Sequence, residues 1–501
     1  MQPVEHTSLA LYSAHDVKLI ERKACALSGI ALYELMQRAG LAAWQLIQIH
    51  YPQAERITVL AGSGNNAGDG FIVAWHAHQA GKQVQILTAR ENPQYKGDAA
   101  IAFDQLADTD IAISPFTEDK LSTTDLLVDG LLGTGLSGPL RDSYLAVINT
   151  VNRWHDHTGN AVFSLDIPSG LNAETGTVSP TAIQSDRCLS FIDLKPGMVT
   201  GKAREYCPVW SVDALDVMPE AREDFTPSAH VDDANALIHH LPRRAATSHK
   251  GNHGRLLLIG GDDGYGGAIL MAAQAAARIG VGRFTIVTRD NHIAPFLTQL
   301  PEAMIRSVDT PNSAEFQQLL QQSDAIVIGP GLGQREWGRE LLSATLSVNC
   351  PMIIDADGLN LLAEHKQQKP NWVLTPHPGE AGRLLAKSVA DVENNRYQTV
   401  SELQANFAGT IILKGAGTLI ANSDHTTVCI DGNPGMATAG MGDVLSGIVG
   451  SLMAQGLEPN LAARTAVALH AKAADIAAQQ GEKGLLATDL LGPLRQLVNE
   501  V

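Results

Sequence analysis

Long apolar runs are missing from this 501-residue chain. No stretch approaches the roughly 20 consecutive apolar residues that span a bilayer. The first residues include Glu5, His6 and Asp16, and they lack the basic-then-apolar pattern of a secretory leader. Cysteine is scarce too: Cys25, Cys188, Cys207, Cys350 and Cys429 are odd in number, widely scattered and without a CxxC pair. That excludes a disulfide framework and a cysteine zinc site, and it points to a reducing cytoplasm. Positive charge is short: 36 Lys+Arg against 53 Asp+Glu leave a net charge of −17. Such a balance argues against a nucleic-acid or anionic-membrane partner, yet it leaves backbone N–H groups able to bind phosphates. Finally, no Gly-x-x-x-x-Gly-Lys-Ser/Thr string occurs, so this is not a P-loop enzyme.

What is present is globular, with 45% hydrophobic and 18% charged residues, and too long for one core. Apolar β-rich runs alternate with Ala/Leu-rich helical runs: Ile57–Leu60, Val84–Leu87, Leu126–Val128 and Val162–Leu165, then Leu256–Ile259, Phe284–Val287, Ala325–Ile328, Met352–Ile354 and Ile411–Leu413. Strands apolar on both faces imply buried parallel sheets covered by helices. From Asp213 to Arg244 the chain is richer in acids, Pro and His. A boundary near Ala221–His230 divides it into two α/β domains, 1–225 and 226–501.

In the first domain, the strand ending at Leu60 runs into Ala61-Gly62-Ser63-Gly64-Asn65-Asn66-Ala67-Gly68-Asp69-Gly70, with helix expected from Phe71. A glycine-rich strand-to-helix turn suits a phosphate. The acid that would hold a ribose at the next strand end is absent, since Thr88-Ala89-Arg90 stands there. Gly133-Thr134-Gly135-Leu136-Ser137-Gly138 is a second such loop or a plain tight turn, and Asp166 before Pro168-Ser169-Gly170 is a functional acid or a turn-former. Taken together, Gly-Ser-Gly-Asn-Asn-Ala-Gly-Asp-Gly, Val-Asp-Gly-Leu-Leu-Gly-Thr-Gly-Leu and Leu-Asp-Ile-Pro-Ser-Gly-Leu resemble the NAD(P)H-hydrate epimerase family over about residues 10 to 215. The resemblance implies a Rossmann-like domain that interconverts the R and S hydrates at C6 of the nicotinamide ring. It places the dinucleotide on Asn65, Asn66, Ala67, Gly68 and Asp69, and on Gly133, Thr134, Gly135, Leu136, Ser137, Gly138 and Pro139. It also implies a potassium ion on Asn66, Asp129 and Ser169, with Asp166 as the catalytic acid/base.

In the second domain, Ala439-Gly440-Met441-Gly442-Asp443 precedes an apolar helical run from Val444. Asp443 is either the N-cap of that helix or a base beside a hydroxyl receiving phosphate. Further glycine-rich or strand-end segments are Gly260–Ala268, Gly329–Gly333, Thr375-Pro376-His377-Pro378-Gly379-Glu380 and Leu413-Lys414-Gly415-Ala416-Gly417-Thr418. Together they make a nucleotide pocket with Lys414 as a phosphate-facing cation. Within the ribokinase-like superfamily, the set resembles the ADP-dependent NAD(P)H-hydrate dehydratases over about residues 235 to 498. That resemblance puts the nucleotide on Lys414, Gly415, Ala416, Gly417, Thr418 and Gly442, and the hydrate on Ala268, Gly331, Gly333, His377 and Asp443. ADP as co-substrate and a magnesium ion on its phosphates are implied.

The expected architecture is therefore two three-layer α/β domains, N-terminal Rossmann-like and C-terminal ribokinase-like. The expected activity is repair of hydrated NADH and NADPH. The alternative is a vitamin-alcohol kinase of ribokinase-like fold joined to a Rossmann-like binding module. Expected partners are small molecules, without nucleic acid or membrane, and the expected assembly is a homo-oligomer.

Overall fold

The computed structural model describes residues 9–500 except Leu136, Ser137, Pro139, Ser179, Pro242, Asp309, Asn312 and Lys366. The chain divides into two compact units, Ala10–Ala229 and a second running from His230 towards the C-terminus. Among the described residues, no helix is long and apolar enough to cross a membrane.

In the first unit, side chains alternate across a seven-stranded sheet. Ile57, Val59 and Ala61 of one strand, and Leu126 and Val128 of its neighbour, face one apolar cluster. Leu60 and Leu127 face another. Helices Ala14–Ser28, Leu32–His50 and Asn65–Gln79 cover the first face, and Asp142–Thr158 covers the second. Such two-sided burial demands near-continuous apolar strands and favours parallel pairing. The strand order is Ala112–Pro115, Gln83–Thr88, Arg56–Ala61, Leu126–Gly130, Ala161–Leu165, Arg187–Phe191, Trp210–Asp213, all parallel. The chain leaves Arg56–Ala61 to one side and returns on the other, so a topological switch point lies between this strand and Leu126–Gly130. Here a Cβ on Gly62 would stand 1.8 Å from Leu131 O, and no other residue fits. The helix expected from Phe71 starts six residues earlier, at Asn65, because Gly64 in an extended conformation (φ −107) turns the chain straight into it.

In the second unit, five neighbouring strands run parallel in the order Thr410–Leu413, Trp372–Leu374, Met352–Ile354, Ala325–Ile328, Arg255–Ile259, continued by Arg283–Thr288 and Met304–Ser307. Thr418–Ala421 and Thr426–Cys429 pair antiparallel beyond Thr410–Leu413. The sheet is thus mixed rather than wholly parallel. The four residues Lys414–Gly417 are too few for a parallel crossover and permit only a hairpin. Helices Gly266–Ile279 and Met441–Ala454 cross on one face so closely that a Cβ on Gly447 would stand 2.0 Å from Ala272 O.

Candidate active sites

Three strand-end segments of the first unit open onto one cavity of about 590 Å³, lined by Gly64, Asn65, Asn66, Gly133, Thr134 and Asp166 among others. The N-terminus of helix Asn65–Gln79 faces it with no side-chain cap, which leaves its positive end to an anion. Ala67 and Gly68 do not line it. Ala67 is fully buried, and a Cβ on Gly68 would meet Met36 Sδ at 2.6 Å, so these two residues serve helix packing. Gly138 is an exposed turn residue (φ +80) away from the cavity wall, while Leu136, Ser137 and Pro139 lie outside the described residues.

Asp166 adopts φ 62, a left-handed conformation that costs a non-glycine residue roughly 1–3 kcal/mol. Its N–H donates to Leu189 O (2.7 Å), and its Oδ1 accepts from Phe191 N (3.2 Å) and from Lys195 Nζ. Lys195 is 1% exposed and also donates to Ser190 Oγ (3.0 Å) and Phe191 O (3.2 Å). Sequence reasoning missed Lys195, although a lysine between an apolar strand end and Pro196-Gly197 was a signal in plain view. Glu21 and Asp69 line the same cavity. Burial, then the charge of Asp166, pushes both carboxyls above the usual range, Asp69 well above it.

At the cavity wall and just behind it, Asn66, Asp129 and Ser169 come together around the backbone of Leu132. Asn66 Nδ2 donates to Leu132 O (3.0 Å), and Ser169 Oγ stands 2.8 Å from Leu132 N and 2.6 Å from Asp129 Oδ1. Asp129 is completely buried, its Oδ2 accepting from Ser164 Oγ (3.0 Å) and Ser169 N (2.9 Å). Burial raises its pKa against those bonds. Asn66 Oδ1 is buried with no hydrogen-bond partner among the described residues.

In the second unit, Gly260, Gly329, Asp355, Thr375 and Lys414 each follow directly on one of the five neighbouring parallel strands, which gathers them on one rim. Lys414 Nζ lies 3.0 Å from Asp355 Oδ1 and 3.7 Å from Glu380 Oε2. Asp355 Oδ2 accepts from Ser446 Oγ (2.8 Å). A Cβ on Gly442 would be 3.2 Å from Lys414 Nζ and 3.8 Å from Asp355 Oδ2, so the Gly440–Asp443 turn sits on this ion pair. Asp355 was not anticipated, although an acid immediately after an apolar strand is the kind of signal that singled out Asp166.

Asp443 is not the N-cap. Gly440 (φ +90) takes that position, and Asp443 is the third residue of helix Met441–Ala454. Burial and the charges of Asp355 and Glu380 outweigh Lys414 and push its carboxyl up to about 7. Lys414, expected to face a phosphate, is paired here with two carboxylates. Burial disfavours its ammonium, but Asp355, Glu380 and Asp443 outweigh that and hold it above the usual lysine range. His377 caps helix Pro378–Leu385, its Nδ1 accepting from Gly379 N (2.9 Å) while its Nε2 faces Glu380 Oε1 at 3.4 Å.

Gly415, Ala416 and Gly417 form the hairpin turn before Thr418. Buried Arg396 braces it from below by donating to Leu413 O (3.3 Å) and Lys414 O (3.2 Å). Nothing in the sequence around Arg396 marks that role. Ala268 lies in the first turn of Gly266–Ile279, one turn before Met271, whose Cε would touch a Cβ placed on Gly440 at 2.6 Å. The Gly331–Gly333 loop is laced to the first glycine-rich loop, with Asp262 N donating to Gly331 O (2.6 Å). Among the described residues, no three or more His, Cys, Asp or Glu side chains are grouped to hold a metal ion.

Comparison with known proteins bears on both units. Residues 256–495 match the family model described as NAD(P)H-hydrate dehydratase, and residues 32–197 match that described as YjeF-related protein N-terminus. The bifunctional NAD(P)H-hydrate repair enzyme Nnr of Coxiella burnetii is 43% identical, over 98% of this chain and 99% of its own length. Its counterpart from Escherichia coli is 42% identical over 99% and 95%. A ribokinase-like superfamily protein from Enterococcus faecalis has a TM-score of 0.51 at 29% identity, covering 55% of this chain and 97% of its own. The first unit is Rossmann-like and the second ribokinase-like. With both sites on one chain and relatives that match it from end to end, the chain belongs to the bifunctional NAD(P)H-hydrate repair enzymes.

Proposed function

We propose that the two sites act in series on hydrated NADH and NADPH, the first interconverting the R and S forms and the second dehydrating the S form at the expense of ADP. The observation that carries this reading is Asp443: a carboxyl at about 7, beside Lys414 and Asp355, at the start of a helix. A base with a pKa near the working pH is suited to take a hydroxyl proton while phosphoryl transfer proceeds at that oxygen. Hydroxide leaves poorly and a phosphate ester leaves readily. Loss of phosphate, assisted by the ring nitrogen, and of the C5 proton returns the dihydronicotinamide, with AMP and phosphate as products. Lys414 acts on both sides of this step, fixing the hairpin end and moderating the charge of Asp355 and Glu380 around Asp443. The Gly415–Thr418 turn and Gly442 would take the nucleotide. Magnesium would be held by the phosphates of ADP.

In the first unit, Asp166 faces the cavity and would deliver and remove the proton at the C6 oxygen. The helix start at Asn65 and Asn66 and the Gly133–Gly135 segment would hold the dinucleotide's phosphates. The residues behind them fit a potassium ion. Asn66 offers an unpartnered buried oxygen, Asp129 a buried carboxylate and Ser169 a hydroxyl, the hard ligands such a cation takes. When bound, it would supply positive charge that compensates Asp129.

Purified protein given the separated R and S hydrates, with ADP or ATP in parallel, tests this reading. Return of dihydronicotinamide absorbance from S with ADP, and from R after a lag, is expected. Accumulation of a stable phosphorylated product would make the second unit a kinase instead.

A further inference from the structure

We propose that Lys195 is the positioning residue of the epimerase site, fixing Asp166 so that a single carboxylate oxygen meets the substrate. The proposal rests on the assignment of Asp166 as the proton-transfer residue. A lysine ammonium has three donors, and here three acceptors surround it: Asp166 Oδ1, Ser190 Oγ at 3.0 Å and Phe191 O at 3.2 Å. At 1% exposure it has nothing to offer a ligand in the cavity. Burying such a charge is costly unless it is paired and hydrogen-bonded, and this one is both.

The consequence falls on Asp166. Its Oδ1 takes Lys195 Nζ and Phe191 N, and its backbone is pinned at φ 62 by the bond from its N–H to Leu189 O. Among the described residues no protein donor reaches Oδ2, while the residue as a whole lines the cavity and its side chain keeps 17% exposure. Rotating the carboxyl would break both Oδ1 bonds. The same oxygen therefore serves proton removal and return, whichever face of the ring re-forms.

Lys195 also bears on the neighbouring acids. Four ionisable groups feel the charge of Asp166: Glu21 from helix Ala14–Ser28, Asp69 from helix Asn65–Gln79, Cys188 from strand Arg187–Phe191, and Lys195, which touches it. The first three are pushed up by burial and, in part, by the charge of Asp166, while Lys195 opposes that push on each. Lys195 touches Asp166 directly, so its position, unlike that of a remote charge, is felt by the carboxyl that faces the cavity.

The test uses full-length protein carrying Lys195→Met or Lys195→Arg. Epimerisation is followed against pH with the enzyme-free rate subtracted, and dehydration of the S hydrate in the same sample reports an intact second unit. Lys195→Met is expected to lower kcat on the order of 10²-fold with KM little changed, the scale of impaired acid–base catalysis. It should move the acidic limb of the profile up, the direction in which removing an opposite charge in contact acts. Lys195→Arg keeps the charge but not the three-acceptor fit. Its limb should stay near wild type at a reduced kcat, and it decides the matter if Lys195→Met does not fold. The proposal is overturned if Lys195→Met keeps the wild-type limb and a rate within a few-fold, or if the limb of Lys195→Arg shifts. Full epimerisation by Asp166→Ala would instead remove the assignment beneath it.

Discussion

An aspartate pushed to about 7 is a liability to the fold and an asset to proton transfer, and Asp443 can be tested in both capacities. Asp443→Asn should cut dehydration on the order of 10²–10⁴-fold and leave epimerisation unchanged. Because Gly440 rather than Asp443 caps the helix, no capping loss confuses that result. The same variant should be more stable than wild type above neutrality. The folded pKa of about 7 lies above the ordinary aspartate value of roughly 4, so ionising Asp443 costs folding energy that grows as pH rises from about 4 to 7. Asparagine mimics the protonated form. Thermal melts of the two proteins should coincide below about pH 4, separate in favour of the variant between about pH 4 and 7, and stay apart above that; melts that differ by the same amount at every pH would place the carboxyl in the ordinary range. Lys414→Met should move the acidic limb of dehydration upward, because Lys414 is the one opposing charge among the groups that set Asp443. If it weakened ADP binding alone and left the limb in place, Lys414 would be a phosphate ligand after all. That difference was not legible in the sequence. The motif around Lys414 points to a phosphate-facing cation and says nothing of Asp355, some sixty residues away, which reaches it because their strands are near neighbours in the sheet.

At the scale of elements, most parallel strands were legible because burial on both faces makes them largely apolar, as in Ala325–Ile328 and even the three-residue Met352–Ile354. Other short or half-polar strands were not. Trp372–Leu374 has three residues, and Ala112–Pro115 is largely exposed, so neither leaves a pattern to read. The start of helix Asn65–Gln79 was misplaced because its first six residues, rich in Asn and Gly, are poor helix formers; tertiary packing of Ala67 and Gly68 against neighbouring elements overrides propensity there. Helix crossing is invisible in one dimension. Gly447 looks like an interior helix glycine, a destabilising choice, yet its missing side chain lets Met441–Ala454 lie against Ala272 of its partner helix. Gly447→Val should therefore lose stability by about 1–3 kcal/mol or more despite its greater bulk of apolar surface, since backbone rather than a flexible side chain must move. A denaturant midpoint equal to wild type with an unchanged slope would refute the close crossing.

At the scale of the whole molecule, two α/β units were expected from the alternation of strand and helix patterns, with the division placed at 225/226. The compact units divide at Ala229 and His230, a few residues later. Strand Ala229–Val231 pairs in parallel with Thr426–Cys429, a long-range contact that a run of three residues does not announce. If each unit carries one complete activity, two variants each impaired in a different unit should complement one another. Asp166→Ala and Asp443→Asn are given the R hydrate with ADP, separately and mixed, above the spontaneous epimerisation rate. Separately, the first should leave R untouched and the second should equilibrate R with S without returning the dihydronicotinamide. Mixed, they should restore repair of R. Failure of the mixture to repair R, or loss of both activities in either variant while it remains folded, would contradict the account.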